Sequence, residues 1–335
     1  MSPVSKLISR PLCTLAASMA MVSVISFTFR ATAQAQEEGT RQIVLDEFTK
    51  NRPPKAATTA SSPSTQASRT RHPQSSTNRA AKRPTYRRAT APITVASTPS
   101  KQPATTKELG ITVWRLRQSK QNESGARLLV MESSQSSQWT PERIEIDTPL
   151  SVGDRVRISV ESPRLGYLYV IDREQYADGS LGDAYLIFPT QRTRDGDNRV
   201  RPGKLIDIPA QEDNPPYFTL VPSVDRNDQV AEILSVIVTS DPIEHLPITD
   251  KPLKVLKSDI AKWEKTWSSE IERFEMEGGA GRAWTNEEKA ASATSSSRLL
   301  TQEEPAPQTV YRIASRNKDV VLVTIPLRYG RFPAQ

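Results

Sequence analysis

Asp172 and Glu174 have the residue type and spacing for proton chemistry, since carboxylates two apart on a continuous strand project from the same face. Paired acids can divide general-acid and general-base work, as in glycoside cleavage. The same spacing also describes the polar end of a strand leaving a core. Asp195-Gly196-Asp197-Asn198 offers oxygen ligands of the kind calcium takes. Arg192, Arg194 and Arg199 lie too close for a dication to be comfortable, and a type I turn accounts for the run. Tyr167, Tyr169 and Tyr185, with Asp172, are the remaining binding candidates, either lining a shallow groove for a sugar or peptide strand or packing beneath a helix.

The inventory excludes several chemistries. The single cysteine, Cys13, lies in an N-terminal apolar stretch, so once that stretch is removed no disulfide, thiolate metal site or cysteine nucleophile remains. Of the two histidines, His72 lies in a Ser/Thr/Pro-rich tract and His245 in the proline-bounded Asp241-Pro242-Ile243-Glu244-His245-Leu246-Pro247. A triad or imidazole metal centre would therefore depend on His245 alone, and a loop histidine is the plainer account. Phosphate-cradling glycine loops, zinc-type spacings and nucleophile elbows do not occur, so no cofactor, no metal and no catalytic residue is expected.

The elements that must position these residues read mainly as strands. In Arg155–Glu161, Val156, Ile158 and Val160 alternate with Arg155, Arg157, Ser159 and Glu161, the period of a half-buried strand. In Gly166–Asp172 both faces are apolar, as in a strand covered on two sides. Further strands are expected at 111–117, 127–132, 185–188, 205–208, 217–221, 232–239, 309–314 and 320–327. Ten short strands argue an antiparallel β-sandwich or partly closed barrel. The stripe Leu253, Leu256, Ile260, Trp263, Trp267, Ile271 and Phe274 steps by three and four, which predicts one long inserted amphipathic helix over about 252–276. Its tryptophans suit packing on the sheet, with partner capture as the alternative. Residues 278–308, rich in Ala, Ser and Glu, read as a mobile loop that completes an insertion over 250–308.

The run 152–162, then Gly166-Tyr167-Leu168-Tyr169-Val170-Ile171-Asp172, Gly179-Ser180, Leu186-Ile187-Phe188-Pro189, 198–204 with Gly203, and Ile208-Pro209, resembles the bacterial family catalogued as domain of unknown function 4384. The resemblance spans roughly 150–242. It implies a small β-rich module, often exported or joined to other domains, with no activity established for the module itself. The expected helix and the basic segment lie outside it.

Charge divides the chain further. Of the formal +7, residues 1–35 hold +3 and residues 51–107 hold +11 without a single acid, which leaves −7 for the rest. A uniformly basic nucleic-acid-binding domain is therefore not expected. Lys6 and Arg10 precede eighteen largely apolar residues, Leu12–Phe29, and Ala33 and Ala35 suit a signal peptidase. Residues 1–35 thus read as a signal peptide cut between Ala35 and Gln36, or as an uncleaved membrane anchor. Residues 36–50 form a short mixed segment, a docking peptide or nothing. Ala, Thr, Ser and Pro dominate 51–107, which reads as a disordered basic linker, and 108–335 as the β-rich domain. Arg79, Lys82, Arg83, Arg87 and Arg88 are polyanion-contact candidates, or simply the charges of a solvated linker.

These features point to an exported, periplasmic or secreted module of the bacterial cell envelope, non-catalytic and working by binding a protein or polymer. Two alternatives stand beside it. One is an envelope-polymer hydrolase relying on carboxylates alone, which requires Asp172 and Glu174 to converge with another acid. The other is a structural spacer in an envelope assembly.

Overall fold

The computed structural model describes Asp46, residues 48–55, 84–89, 105–132 and 135–315, Asn317 and residues 319–330. The expected signal segment, the Ala35/Gln36 cut, and Arg79, Lys82 and Arg83 lie outside the described residues. What is described forms two antiparallel sheets face to face, which makes the molecule a β-sandwich.

The first sheet runs β1 (Tyr86–Arg88), β13 (Glu270–Met276), β14 (Thr309–Ser315), β2 (Thr105–Gln118), β4 (Gln135–Ile144) and β3 (Leu128–Glu132). Beside β2 it also carries β5 (Arg155–Glu161), which pairs with β9 (Leu205–Ile208) and β10 (Phe218–Thr219). The second sheet runs β12 (Leu253–Val255), β7 (Ala184–Phe188), β6 (Gly166–Tyr176), β11 (Gln229–Thr239) and β15 (Val320–Arg328), with β8 (Arg199–Val200) beside β6. Ile111 and Val113 of β2 and Val156, Ile158 and Val160 of β5 meet Leu168, Val170, Leu234, Val236 and Val323 from the second sheet in one buried core.

The opposite face of β5 is polar yet also buried. Arg157 donates to Asp207 at 2.5 Å, Ser159 bonds Asp207, and Trp114 Nε1 donates to Ser159 Oγ at 2.7 Å. Glu161 takes both Nε and Nη2 of Arg52 at 2.6 Å, and Arg52 Nη1 and Nη2 donate further to the carbonyls of Thr301, Glu304 and Pro305. Pairing allows these charges to leave water. Over this face lie Trp284, with the Arg157 guanidinium 5.0 Å from its ring, and Arg143, which pairs with Glu288.

Three expectations need correction. The stripe over 252–276 is not one helix: α1 covers only Lys257–Trp267, between strands β12 and β13. Ser268 and Ser269 end it, side-chain hydroxyls bonding the carbonyls of Lys265 and Trp267. Ile271 and Phe274 continue the three–four spacing by coincidence, and pairing with β14 and β1 wins over it. Residues 278–308 are not a bare loop: they carry buried Trp284 and α2 (Asn286–Ser292), started by a Thr285/Glu288 capping box. Segments 51–55 and 84–89, expected as tether, belong to the folded body. Phe48 and Tyr86 are buried with Phe274 and Met276, and Tyr86 Oη donates to the Pro307 carbonyl.

Candidate functional site

Strands β6 and β11 pair so that Glu174 faces Glu232 and Asp172 faces Leu234. Alternation then places Asp172, Glu174 and Glu232 on the face that carries Leu168, Val170 and Val236, at the end where that apolar row stops. All three acids are half-buried. Asp172 Oδ1 and Glu232 Oε2 are both buried without a hydrogen-bond donor among the described residues, so ionising both acids at once is costly. Burial pushes Asp172 up to about 8, and the charges of Glu232 and Glu174 add to the rise. Burial raises Glu232 as well.

The surroundings fix this pair. Glu232 Oε1 accepts from Gln229 Nε2 at 2.7 Å and from Tyr329 Oη at 3.1 Å. Glu174 Oε2 accepts from Tyr176 Oη, and burial and Glu232 hold the Tyr329 hydroxyl far above its usual range. A Cβ at Gly182 would stand 3.0 Å from Glu174 Oε2, so a bare backbone lets the chain pass this close to the carboxylate. The Arg226 guanidinium lies 3.8 Å from the centre of the Tyr176 ring and is tied to Asp228 and Asp178. Ser223 N–H donates to Gln229 Oε1 at 2.6 Å, and the nearby Val221 and Val224 are exposed. The site thus joins three acids and two tyrosine hydroxyls to an apolar rim.

Of the four residues proposed from sequence, the fold brings two together. Tyr185, exposed on β7, faces Asp172 in the strand register. Tyr169 and Tyr167 lie on the other face of β6, so the groove expected to unite all three tyrosines with Asp172 does not form. Tyr169 is buried beneath α1 with Ile260, its hydroxyl accepting from Ile243 N–H at 2.9 Å, and Tyr167 packs against the same cluster. The cationic candidates in β1 are spoken for: Arg87 pairs with Glu145 and Arg88 with Glu272. Asp197 is taken by Arg199 at 2.8 Å, in keeping with a turn, and Asp195 adopts a left-handed backbone with φ of 52°. His245 is exposed, 3.9 Å from Glu244.

Glu232 was the member of the cluster that no sequence motif marked. The alternation Glu232, Leu234, Val236, Val238 showed its face, but nothing in one sequence gives the pairing that sets it against Glu174. Tyr176 and Tyr329 gave no signal. Family models, curated proteins and solved structures give no match to this chain.

Proposed function

We propose that the chain is an exported binding module of the bacterial cell envelope, acting without catalysis, and that the acidic end of its second sheet engages an envelope protein or polymer. The observation that carries this reading is the crowding of Asp172, Glu174 and Glu232 on one sheet face, with Asp172 Oδ1 and Glu232 Oε2 buried and lacking a donor among the described residues. Glycoside hydrolysis places its two carboxyls about 5 Å apart in retaining enzymes and roughly 6.5–9.5 Å apart in inverting ones, leaving room for the sugar carbon or a water. In this cluster Tyr176 Oη already donates to Glu174, and Gln229 and Tyr329 donate to Glu232, so these two carboxylates are engaged rather than poised over a water. A protonated Asp172 beside them presents a donor and several acceptors next to tyrosine rings, a set suited to hydroxyl or amino groups. The charged and apolar pattern of residues 1–35 supports export, and the resemblance of 150–242 to domain of unknown function 4384 supports a β module of this kind.

A second reading keeps one specific support. Asp172, protonated at neutral pH beside a further acid, has the charge states of an acid–base pair, and the third acid demanded by a carboxylate-only hydrolase is Glu232. One experiment separates the two. The purified chain and the double variant Asp172→Asn/Glu232→Gln are mixed with insoluble bacterial cell-wall polymer, then sedimented. Binding lost in the double variant, with no soluble fragments released by either protein, is expected. Fragments released by the wild type and not by the variant would make the hydrolase the better reading. Binding that is unchanged in the variant would remove the acidic end from the function.

A further inference from the structure

A second concavity lies away from the three acids. Three loops line an open cavity of about 350 Å³: residues 189–194 after β7, 209–217 after β9, and 249–252 before β12. That volume falls within the span of small-ligand sites. The loops are tied to one another. Gln191 N–H donates to the Thr249 carbonyl at 2.9 Å, and Thr193 Oγ1 and Ala210 N–H donate to Asp213 Oδ2 at 2.6 and 2.9 Å. The walls are apolar where Ile187, Ile208, Pro209, Tyr217 and Phe218 contribute.

Charge decides what fits. Asp213, Glu212 and Asp250 line the cavity against one guanidinium, Arg192. Glu212 is occupied by Thr294, whose N–H and hydroxyl each donate at 3.0 Å. Both bonds to Asp213 fall on Oδ2, which leaves Oδ1 without a partner among the described residues. Behind the wall, buried Arg157 pairs with Asp207 and Arg194 with Asp197, and the Arg157 charge also reaches Asp213. Burial raises Asp213 above the usual carboxylate range, a penalty that an incoming cation reverses.

We infer that this cavity binds a small ligand that joins a primary ammonium group to a flat apolar body, the ammonium meeting Asp213 Oδ1 and Asp250 and the body meeting Pro209, Tyr217 and Phe218. The inference is independent of the acidic end of the second sheet. It is tested on the full-length chain by calorimetric titration with benzylamine, benzyl alcohol and benzoate, three probes of nearly one shape and different charge. Benzylamine should bind at millimolar concentration, with benzyl alcohol about tenfold weaker and benzoate weaker still, the difference a charge-assisted hydrogen bond makes. Asp213→Asn keeps an oxygen for Thr193 and Ala210, and should weaken benzylamine about tenfold while leaving benzyl alcohol unchanged. Asp250→Asn, at an exposed position, should act in the same direction and serves if the first variant fails to fold. Benzoate binding as tightly as benzylamine, or no probe binding, would overturn the inference. Loss of benzylamine affinity in Asp172→Asn, with Asp213→Asn unaffected, would place the amine at the acidic end instead and also overturn it.

Discussion

Replacing Asp172 by asparagine should stabilise the protein at neutral pH and leave it unchanged in acid. In the folded chain Asp172 holds its proton up to about pH 8, whereas in the unfolded chain it ionises near 3.8. A folded-state pKa raised in this way contributes stability that is fully present below the unfolded value. It is lost as pH climbs toward the folded value, at about 1.4 kcal/mol per pH unit. Over the roughly three units to neutrality an isolated group would lose about 4 kcal/mol, an upper bound for a half-buried acid next to Glu232. Asparagine keeps the shape and has no proton to lose. Urea unfolding of both proteins at several pH values from about 4 to 8 checks this. The curves should coincide at the acid end and diverge steadily, the variant being more stable. Parallel pH profiles, or a variant less stable at neutral pH, would refute the burial of a protonated Asp172.

Arg52→Met leaves Glu161 buried without its partner and should lower unfolding free energy by about 3–5 kcal/mol, while Arg52→Met/Glu161→Leu should recover most of that loss in the same denaturant assay. Thr285→Ala removes the hydroxyl that accepts from Glu288 N–H, and about 1 kcal/mol should follow, together with faster amide exchange across α2. A Cβ at Gly110 would stand 2.6 Å from Phe48 Cζ and 2.7 Å from Pro307 Cγ. Gly110→Val should therefore raise the rate of tryptic cleavage at Lys50 while circular dichroism still reports the sandwich.

The strands were legible wherever a single face had to be buried. The alternation in β5 and the two apolar faces of β6 translate directly into the shared core and the layer beneath α1. Three features were not legible, each for its own reason. β13 follows α1 closely enough that Ile271 and Phe274 extend a helical stripe, and only the partner strands decide against it. Arg52 sits in Asn51-Arg52-Pro53-Pro54, a run whose composition says linker, while its role depends on Glu161, 109 positions away. The polar face of β5 looked solvated because its covering residue, Trp284, is the lone large aromatic in a stretch of alanine, serine and glutamate. The Thr285-x-x-Glu288 signature of α2 was readable in that same stretch. At the acidic site, Asp172 and Glu174 were visible, and Glu232 required the register.

The docking of Phe48 and Arg52 changes what the basic segment is. With Lys55 held just past Arg52 and Pro84 just ahead of Tyr86, the stretch between them leaves and rejoins one folded body. Arg52 and Tyr86, both expected in a free linker, are thus fixed points on the β module, and the Arg52–Glu161 and Tyr86–Pro307 bonds hold chain there that composition alone assigns to solvent. A pull from the N-terminal side would load the Phe48–Gly110 contact and the buried Arg52–Glu161 clamp before it reached any strand of the sandwich.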